Sequence, residues 1–153
     1  MFRSILVAVD GSAIGHRALE EALAVARAMG VPVHAVHVVQ TATYPSLTLN
    51  ELEPPTIAQQ ALLDALDREG DEILADVGEK AAAAGVALTI YKRWGHPGAE
   101  ITALARELGA DLTVVGSHGK GRLGRFFLGS TSSYVVDHAA STVMVVRGEP
   151  DVA

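Results

Sequence analysis

The 153-residue sequence contains no cysteine, which excludes disulfide bridges, thiolate-bound metals and a cysteine nucleophile. Aromatic residues make up only 5% of the chain, and its formal net charge is −6 without any broad basic stripe. A protein that coats nucleic acid needs such a stripe, so we expect no nucleic-acid partner. No apolar run approaches the roughly 20 residues that span a bilayer, which predicts no membrane segment. We therefore expect a cytoplasmic protein.

Short apolar runs alternate with helical patterns, and this alternation predicts a parallel sheet with helices on both faces. The predicted strands are Ser4–Val9, Pro32–Val39, Val86–Trp94, Leu112–Val115 and Thr142–Val146. The predicted helices are Ala13–Met29, Ile57–Ala84, Pro97–Leu108 and Ser130–His138. With 49% hydrophobic residues the chain can bury one full core, so we expect a single domain over residues 1–153.

Two long segments give further expectations. Gln40–Thr56 contains three prolines and is too long for an ordinary connection between a strand and a helix. It is expected to cap the carboxyl-terminal edge of the sheet or to be mobile. In the helix Ile57–Ala84, apolar residues at helical spacing, from Ile57 through Leu66 and Leu74 to Val77, predict the buried side.

The passage from Gly116 to Ser132 carries the strongest functional signal. Glycines stand at positions 116, 119, 121, 124 and 129, and Lys120, Arg122 and Arg125 add positive charge to the same loop. Glycine lets the backbone approach a ligand closely and adopt a positive φ. The hydroxyl and N–H groups of Ser130–Ser132 begin a helix, where anions are favoured. Strand, basic loop and helix start together predict a cradle for phosphate.

Asp10 follows the first predicted strand in the tripeptide Asp10-Gly11-Ser12. Open α/β sheets bind ligands beyond the carboxyl ends of their strands, where the strand order reverses. A carboxylate in that place can hold a divalent cation that bridges phosphates. Alternatively, Asp10 is the N-cap of the helix that starts at Ala13. Both interpretations stay open at this point.

Other motifs in the chain give weaker signals. Gly119–Gly124 matches a dinucleotide fingerprint, but it starts well after its strand and no acidic residue follows about 20 positions on. Gly124–Thr131 is close to a P-loop, but a serine stands where the lysine is required. His34 and His37 lie at odd separation in one strand, so they face opposite sides and core roles are expected. His118 is either a phosphate or ribose contact or a solvated loop residue.

The glycine spacing resembles a known family signature. Two residues separate Gly116 from Gly119, and nine separate Gly119 from the pair Gly129-Ser130. This spacing resembles the motif of the ATP-binding universal stress proteins. The resemblance extends over Ile5–Ser12, Val36–Val38, Ala110–Gly116 and Val143–Val146, so it covers nearly the whole chain apart from Gln40–Thr56. It implies a flavodoxin-like, Rossmann-like α/β sandwich whose five parallel strands have the order 3-2-1-4-5, with four helices.

Carried over position by position, the resemblance also implies an adenine-nucleotide site. Ala8 and Asp10 would line the base and metal side, and the Val38 backbone would recognise adenine. The residues that would wrap the ribose and phosphates are Gly116, Ser117, His118, Gly119, Lys120, Gly121 and Arg122. The terminal phosphates would be bound by Gly129, Ser130, Thr131 and Ser132. The departure is Thr131, where the family more often has an apolar residue.

These implications predict an ATP-binding protein of the stress response that acts as a nucleotide-responsive binding module. The ligand would be ATP, or else ADP or AMP, with Mg²⁺ or Mn²⁺ held through the phosphates and Asp10. The protein partner stays unknown. A slow ATPase or a nucleotide-dependent transferase on the same scaffold is the alternative function. An electron-transfer flavin protein would share the fold, and the identity of the bound ligand would distinguish it from a protein that binds an adenine nucleotide.

Two further expectations concern the third and fifth predicted strands. A phosphorylatable receiver domain needs an acceptor aspartate at the end of its third strand and a lysine at the end of its fifth. These places hold Arg93–Gly95 and Val146-Arg147 in this chain, so a receiver domain is excluded. The strand Thr142–Val146 carries no charge, and in the family's order it lies at the edge of the sheet. An exposed apolar edge invites pairing with a second copy, so we expect a homodimer.

Overall fold

A computed structural model describes residues 1–41, 53–118 and 128–148 of the chain. Its strands are β1 (Ile5–Ala8), β2 (Val33–Val39), β3 (Leu88–Trp94), β4 (Leu112–Gly116) and β5 (Thr142–Val146). Its helices are α1 (Ala13–Met29), α2 (Ile57–Ala84), α3 (Pro97–Leu108) and α4 (Ser130–His138). The predicted helix bounds are confirmed. The first three strands are one or two residues shorter than predicted, and β4 extends by one residue to Gly116.

All neighbouring strands of the sheet are parallel, in the order β3-β2-β1-β4-β5. The implied order 3-2-1-4-5 is therefore confirmed, and the fold is a flavodoxin-like α/β sandwich. α1 and α2 pack on one face of the sheet, and α3 and α4 pack on the other. The chain moves outward from β1 to β3 and then returns to β4 on the far side of β1. The strand order thus reverses between β1 and β4.

The hydrophobic pattern of β1 explains how one strand holds two layers together. Ile5 and Val7 face α1 and α2, Leu6 faces α3 and α4, and all three are fully buried. Because successive side chains of a strand point to opposite faces, a continuous apolar run buries both faces. Each such side chain contributes about 1.5–3 kcal/mol when it is fully buried.

Short-range signals set the helix ends. Ser12, Thr56 and His96 cap α1, α2 and α3 through their side chains, and Thr56 forms a reciprocal capping box with Gln59. The residues that end these helices are Gly30, Gly85 and Gly109, at φ of 68°, 69° and 62°. Glycine accepts this left-handed conformation without the penalty that a Cβ imposes.

The prediction that Ile57 lies on the buried side of α2 is wrong, since its side chain is 92% exposed. The buried residues of this helix are Gly70, Leu74, Val77 and Ala81, and none lies before the middle of the helix. A helix of 28 residues is about 42 Å long, whereas the seven residues of β3 span about 23 Å. The sheet is too short to cover the whole helix.

Asp111 joins the starts of three strands. Its carboxylate accepts hydrogen bonds from the backbone N–H groups of Arg3 and Ser4 at 2.9–3.1 Å. Its own N–H donates to the Ser4 carbonyl at 3.0 Å, and its carbonyl accepts from Thr142 N–H at 3.2 Å. The hydrogen bonds from the backbone N–H groups of Ser4 and Arg3 favour the charged carboxylate, so they lower the pKa of Asp111 below its ordinary value.

Candidate functional site

The candidate site is the crevice beyond the carboxyl ends of β1 and β4. These two strands are neighbours in the sheet, with Val7 paired to Val114. Asp10 follows β1, and the described residues Gly116, Ser117 and His118 follow or end β4. The start of α4 is joined to the same place by hydrogen bonds to Ser117. The topology thus gathers most of the sequence-predicted residues at one edge of the sheet.

The Asp10 turn is built by Ser12. Asp10 Oδ1 accepts hydrogen bonds from Ser12 N–H at 2.9 Å and from Ser12 Oγ at 2.5 Å. Ser12 Oγ in turn accepts from Gly15 N–H at 3.0 Å, so Ser12 is the N-cap of α1. The interpretation of Asp10 as that N-cap is therefore wrong. Gly15 must lack a side chain, because a Cβ there would lie 2.7 Å from Asp10 Oδ1.

The second oxygen of Asp10 is available for a ligand. Within the described part of the chain, Oδ2 makes no hydrogen bond, and the carboxyl group is only partly buried. No group of three or more histidine, aspartate or glutamate side chains lies together among the described residues. A divalent cation at this edge would consequently take one carboxylate oxygen from the described protein and rely on phosphate oxygens and water for the rest. That donor set suits a phosphate-bound Mg²⁺ or Mn²⁺.

The two described glycines of the loop, Gly116 and Gly129, lie close to other parts of the protein. Neither Gly116 nor Gly129 has a positive φ, so that expectation is wrong for both. A Cβ on Gly116 would lie 2.5 Å from Ile14 Cγ2, and a Cβ on Gly129 would lie 3.1 Å from His118 Cα. Gly116 therefore leaves no room for a side chain, and a side chain at Gly129 would be tightly packed against the backbone of His118.

Hydrogen bonds join the end of β4 to the start of α4. Ser117 N–H donates to the Val146 carbonyl at 2.8 Å, and Gly129 N–H donates to the Ser117 carbonyl at 2.7 Å. Ser132 Oγ donates to the Ser117 carbonyl at 2.7 Å and to the Gly129 carbonyl at 3.1 Å. Two residues far apart in the sequence, 117 and 129, are therefore held together by backbone and side-chain bonds.

The N-terminus of α4 presents unpaired donors. Its N-cap is Gly129, which provides no side-chain cap, and the first intrahelical bond runs from Ser133 N–H to the Gly129 carbonyl at 2.9 Å. The N–H groups of Ser130, Thr131 and Ser132 have no acceptor within the described residues. Such a helix end combines free N–H groups with the positive end of the helix dipole, and it attracts anions.

The backbone of Val38 is directed toward the same crevice. Val9 N–H donates to the Val36 carbonyl and Gly95 N–H donates to the Val39 carbonyl, at 2.9 and 3.0 Å. Because backbone groups alternate along a parallel strand, Val38 turns its N–H and C=O toward β1. β1 has already ended at Ala8, which pairs with Val36. Val38 thus has a donor and an acceptor beside the Asp10 turn.

His37 is a residue at this edge whose contact sequence reasoning did not find. As predicted, it is buried, and it faces α2 while His34 contacts Tyr91 on the other side of the sheet. Its Nδ1 lies 2.9 Å from the Val9 carbonyl, so Nδ1 carries the proton and donates it. His37 therefore fixes the peptide that precedes Asp10. No local pattern signals this contact, which depends on the pairing of β1 with β2.

Four predicted site residues, Gly119, Lys120, Gly121 and Arg122, lie outside the described residues. The expectation for Gln40–Thr56 falls mostly on residues 42–52, which also lie outside them. His118 is half-buried at the end of the described part of its loop, with its backbone against Gly129.

Comparison with known proteins identifies the family. A sequence model of the universal stress protein family matches residues 1–147. This chain belongs to that family. Universal stress protein YxiE of Bacillus subtilis (strain 168) is 37% identical over 150 residues, covering 96% of this chain and 100% of that protein.

Solved structures of universal stress proteins have the same fold. UspA from Lactobacillus plantarum aligns with a TM-score of 0.81 and 30% identity over 95% of this chain and 97% of that one. A universal stress protein crystallised in complex with cAMP aligns with a TM-score of 0.70 and 25% identity, over 95% and 97% of the two chains. In the present chain, no helix among the described residues is long and apolar enough to cross a membrane.

Proposed function

We propose that this universal stress protein binds an adenine nucleotide, foremost ATP, between β1 and β4, and that it acts as a nucleotide-responsive binding module of the stress response. The observation that carries the proposal is the start of α4, which follows β4 and whose first N–H groups have no acceptor among the described residues. It lies beside β1, the strand that leads to Asp10. A polyphosphate chain matches this pair of features. The phosphate oxygens accept hydrogen bonds from backbone amides, and a cation neutralises the negative charge that remains.

The phosphates, the metal ion and the adenine base each have a matching group in the crevice. The N–H groups of Ser130 and Thr131 suit the terminal phosphates, and Asp10 Oδ2 suits a phosphate-bound Mg²⁺ or Mn²⁺. The outward N–H and C=O of Val38 suit the adenine edge, which offers a ring-nitrogen acceptor and an amino donor. The relative crystallised with cAMP supports an adenine nucleotide as the ligand class.

The mode of action that we propose is stabilisation of one state by the ligand. A nucleotide that binds only the folded, closed protein stabilises it by an amount that grows with ligand concentration, about 2.7 kcal/mol at a hundred times Kd. The bound form then presents a different surface to a protein partner. Nucleotides circulate in the cytoplasm, so the proposal includes a cytoplasmic location.

The proposal extends to assembly as a homodimer through β5. This strand pairs with β4 only, so its other side is an open edge within the described part of the sheet. Its five residues, Thr142–Val146, carry no charge, whereas the opposite edge strand β3 carries Lys92 and Arg93. Charged side chains on an edge oppose pairing with another strand, so β5 is the favoured edge for a second copy.

The decisive experiment is the identification of the bound ligand. The protein is purified without added nucleotide and denatured, and the released small molecules are identified by mass spectrometry. Calorimetric titrations with ATP, ADP, AMP, cAMP and FMN then rank the ligands, each with Mg²⁺ and with excess chelator. We expect an adenine nucleotide to be released and ATP to bind more tightly with Mg²⁺. Release of a flavin, or the absence of binding by every adenine nucleotide, would contradict the proposal.

A further inference from the structure

Ser132 has a side-chain hydroxyl that donates its proton to groups inside the protein. Its side chain is buried, with 1% of the residue exposed. Its Oγ donates to the Ser117 carbonyl at 2.7 Å and shares the same proton with the Gly129 carbonyl at 3.1 Å. A serine hydroxyl has a single proton to donate. A phosphate oxygen needs a donor, and this hydroxyl has none left to offer it.

The Ser117 carbonyl is the point at which the two sides of the site meet. It accepts from Ser132 Oγ and also from Gly129 N–H, each at 2.7 Å. The N–H of Ser117 donates to Val146 in β5, so this peptide is anchored to the sheet. One bonded chain therefore runs from the sheet through Ser117 to the first turn of α4.

We infer that the Ser132 hydroxyl is a positioning group for the proposed phosphate site, and not one of its ligands. It holds the first turn of α4 against the end of β4, so the free N–H groups of Ser130 and Thr131 keep a fixed distance from the backbone of Gly116. Donors that are already in place bind an anion without a further ordering cost. This inference rests on the proposed function, and it changes the role that the family resemblance implies for Ser132.

The chain offers two matched serines for comparison. Ser133 is the next residue of the same helix, is half-buried, and its hydroxyl makes no hydrogen bond within the described residues. Ser130 is the exposed first residue of α4, where a hydroxyl that binds phosphate directly would lie. Alanine at 132, 133 and 130 therefore separates a positioning serine, a neutral serine and a serine that contacts ligand.

The test uses two measurements on the full chain. The first is hydrogen exchange of the Gly129 amide in the ligand-free protein, followed by NMR. The second is the calorimetric Kd for ATP. Ser132→Ala is expected to speed Gly129 exchange and to weaken ATP binding, each by roughly three- to tenfold, the range for one neutral hydrogen bond. Ser133→Ala should change neither quantity. Ser130→Ala should weaken ATP binding and leave Gly129 exchange as in the wild type.

The outcomes separate this inference from the proposed function. Weaker ATP binding in Ser132→Ala with unchanged Gly129 exchange would make Ser132 a direct ligand and would overturn the inference. Faster exchange with unchanged ATP affinity would overturn it as well. A wild-type protein that binds no adenine nucleotide would instead contradict the proposed function. If the alanine variant does not fold, Ser132→Cys has a similar shape and only a weak donor, and the same pattern is expected from it.

Discussion

The side chain of Ile14 occupies the space that a Cβ atom on Gly116 would need, since that atom would lie 2.5 Å from Ile14 Cγ2. Ile14 is in the first turn of α1 and Gly116 is the last residue of β4. Ile14 also reaches toward Gly148, where a Cβ would lie 3.1 Å from its Cδ1. The first turn of the helix that follows Asp10 is thus packed directly onto the strand that leads to the glycine loop.

We predict that Gly116→Ala lowers the free energy of unfolding by about 1–3 kcal/mol, the usual effect of overpacking. The double variant with Ile14→Ala should be about 1 kcal/mol more stable than the sum of the two single effects predicts, because the smaller side chain makes room for the new Cβ. Urea unfolding of the single and double variants measures this coupling. Gly78→Ala is the control, since a Cβ at Gly78 in α2 would have no neighbour within 4 Å. Additive effects at Ile14 and Gly116 would contradict the prediction.

We predict that Asp10→Asn weakens ATP binding roughly tenfold in Mg²⁺ or Mn²⁺ and much less in excess chelator. The amide oxygen of asparagine can still accept from Ser12 N–H and Oγ, so the turn should persist. What disappears is the negative charge that a cation needs. Calorimetry under both conditions gives the two affinities. An equal loss with and without metal would assign Asp10 a purely structural role.

We predict that lysine at Met144 or Val145 in β5 converts a homodimer into monomers. A charged side chain at an edge strand opposes pairing with a second copy. Analytical ultracentrifugation at micromolar concentration measures the change. Ile90→Lys is the matched control, because Ile90 is 49% exposed on β3 at the opposite edge. A wild-type protein that sediments as a monomer would end the proposed assembly.

We predict that ATP is held much longer than it is cleaved, with turnover below about 0.1 per second. Fast phosphoryl transfer needs a positioned base or a group that orients water. No glutamate or glutamine stands between Gly116 and Ser133, and His118 is the nearest base in the sequence. A missing positioned group slows a reaction about a hundredfold from the typical ten per second. Single-turnover hydrolysis of radiolabelled ATP measures the rate, and fast cleavage that is lost in His118→Ala would indicate an enzyme.

We predict that Asp111 stabilises the folded protein near neutral pH and that this stabilisation is lost in acid. Hydrogen bonds from the backbone N–H groups of Ser4 and Arg3 lower the pKa of Asp111 below its ordinary value of 3.8. The stabilisation is therefore complete above pH 3.8 and is lost as the pH falls through the lower pKa of the folded state. Urea unfolding of wild type and Asp111→Asn between pH 2 and 6 measures the difference. The two curves should converge in acid, and a constant separation would contradict this account.

Much of the architecture follows from local sequence patterns. The helix bounds were predictable, because caps such as Ser12 and Thr56 and terminal glycines such as Gly30 act within a few residues of the backbone that they complete. Apolar periodicity likewise identified the strands. The position of Ser12 directly before Ala13 already marked it as the N-cap, and the alternative interpretation of Asp10 as the N-cap did not use this boundary.

The sequence by itself therefore determined the alternating α/β architecture, the helix bounds and the resemblance to the family. Only the tertiary structure decided what individual residues at the site do. Gly116 must be small because Ile14 packs on it, His37 binds the Val9 carbonyl, and the Ser132 hydroxyl binds the Ser117 carbonyl. Periodicity and caps act between near neighbours in the chain, so they can be read locally. These three contacts join residues from different elements, and they exist only once the parallel sheet has brought the ends of β1, β2 and β4 together.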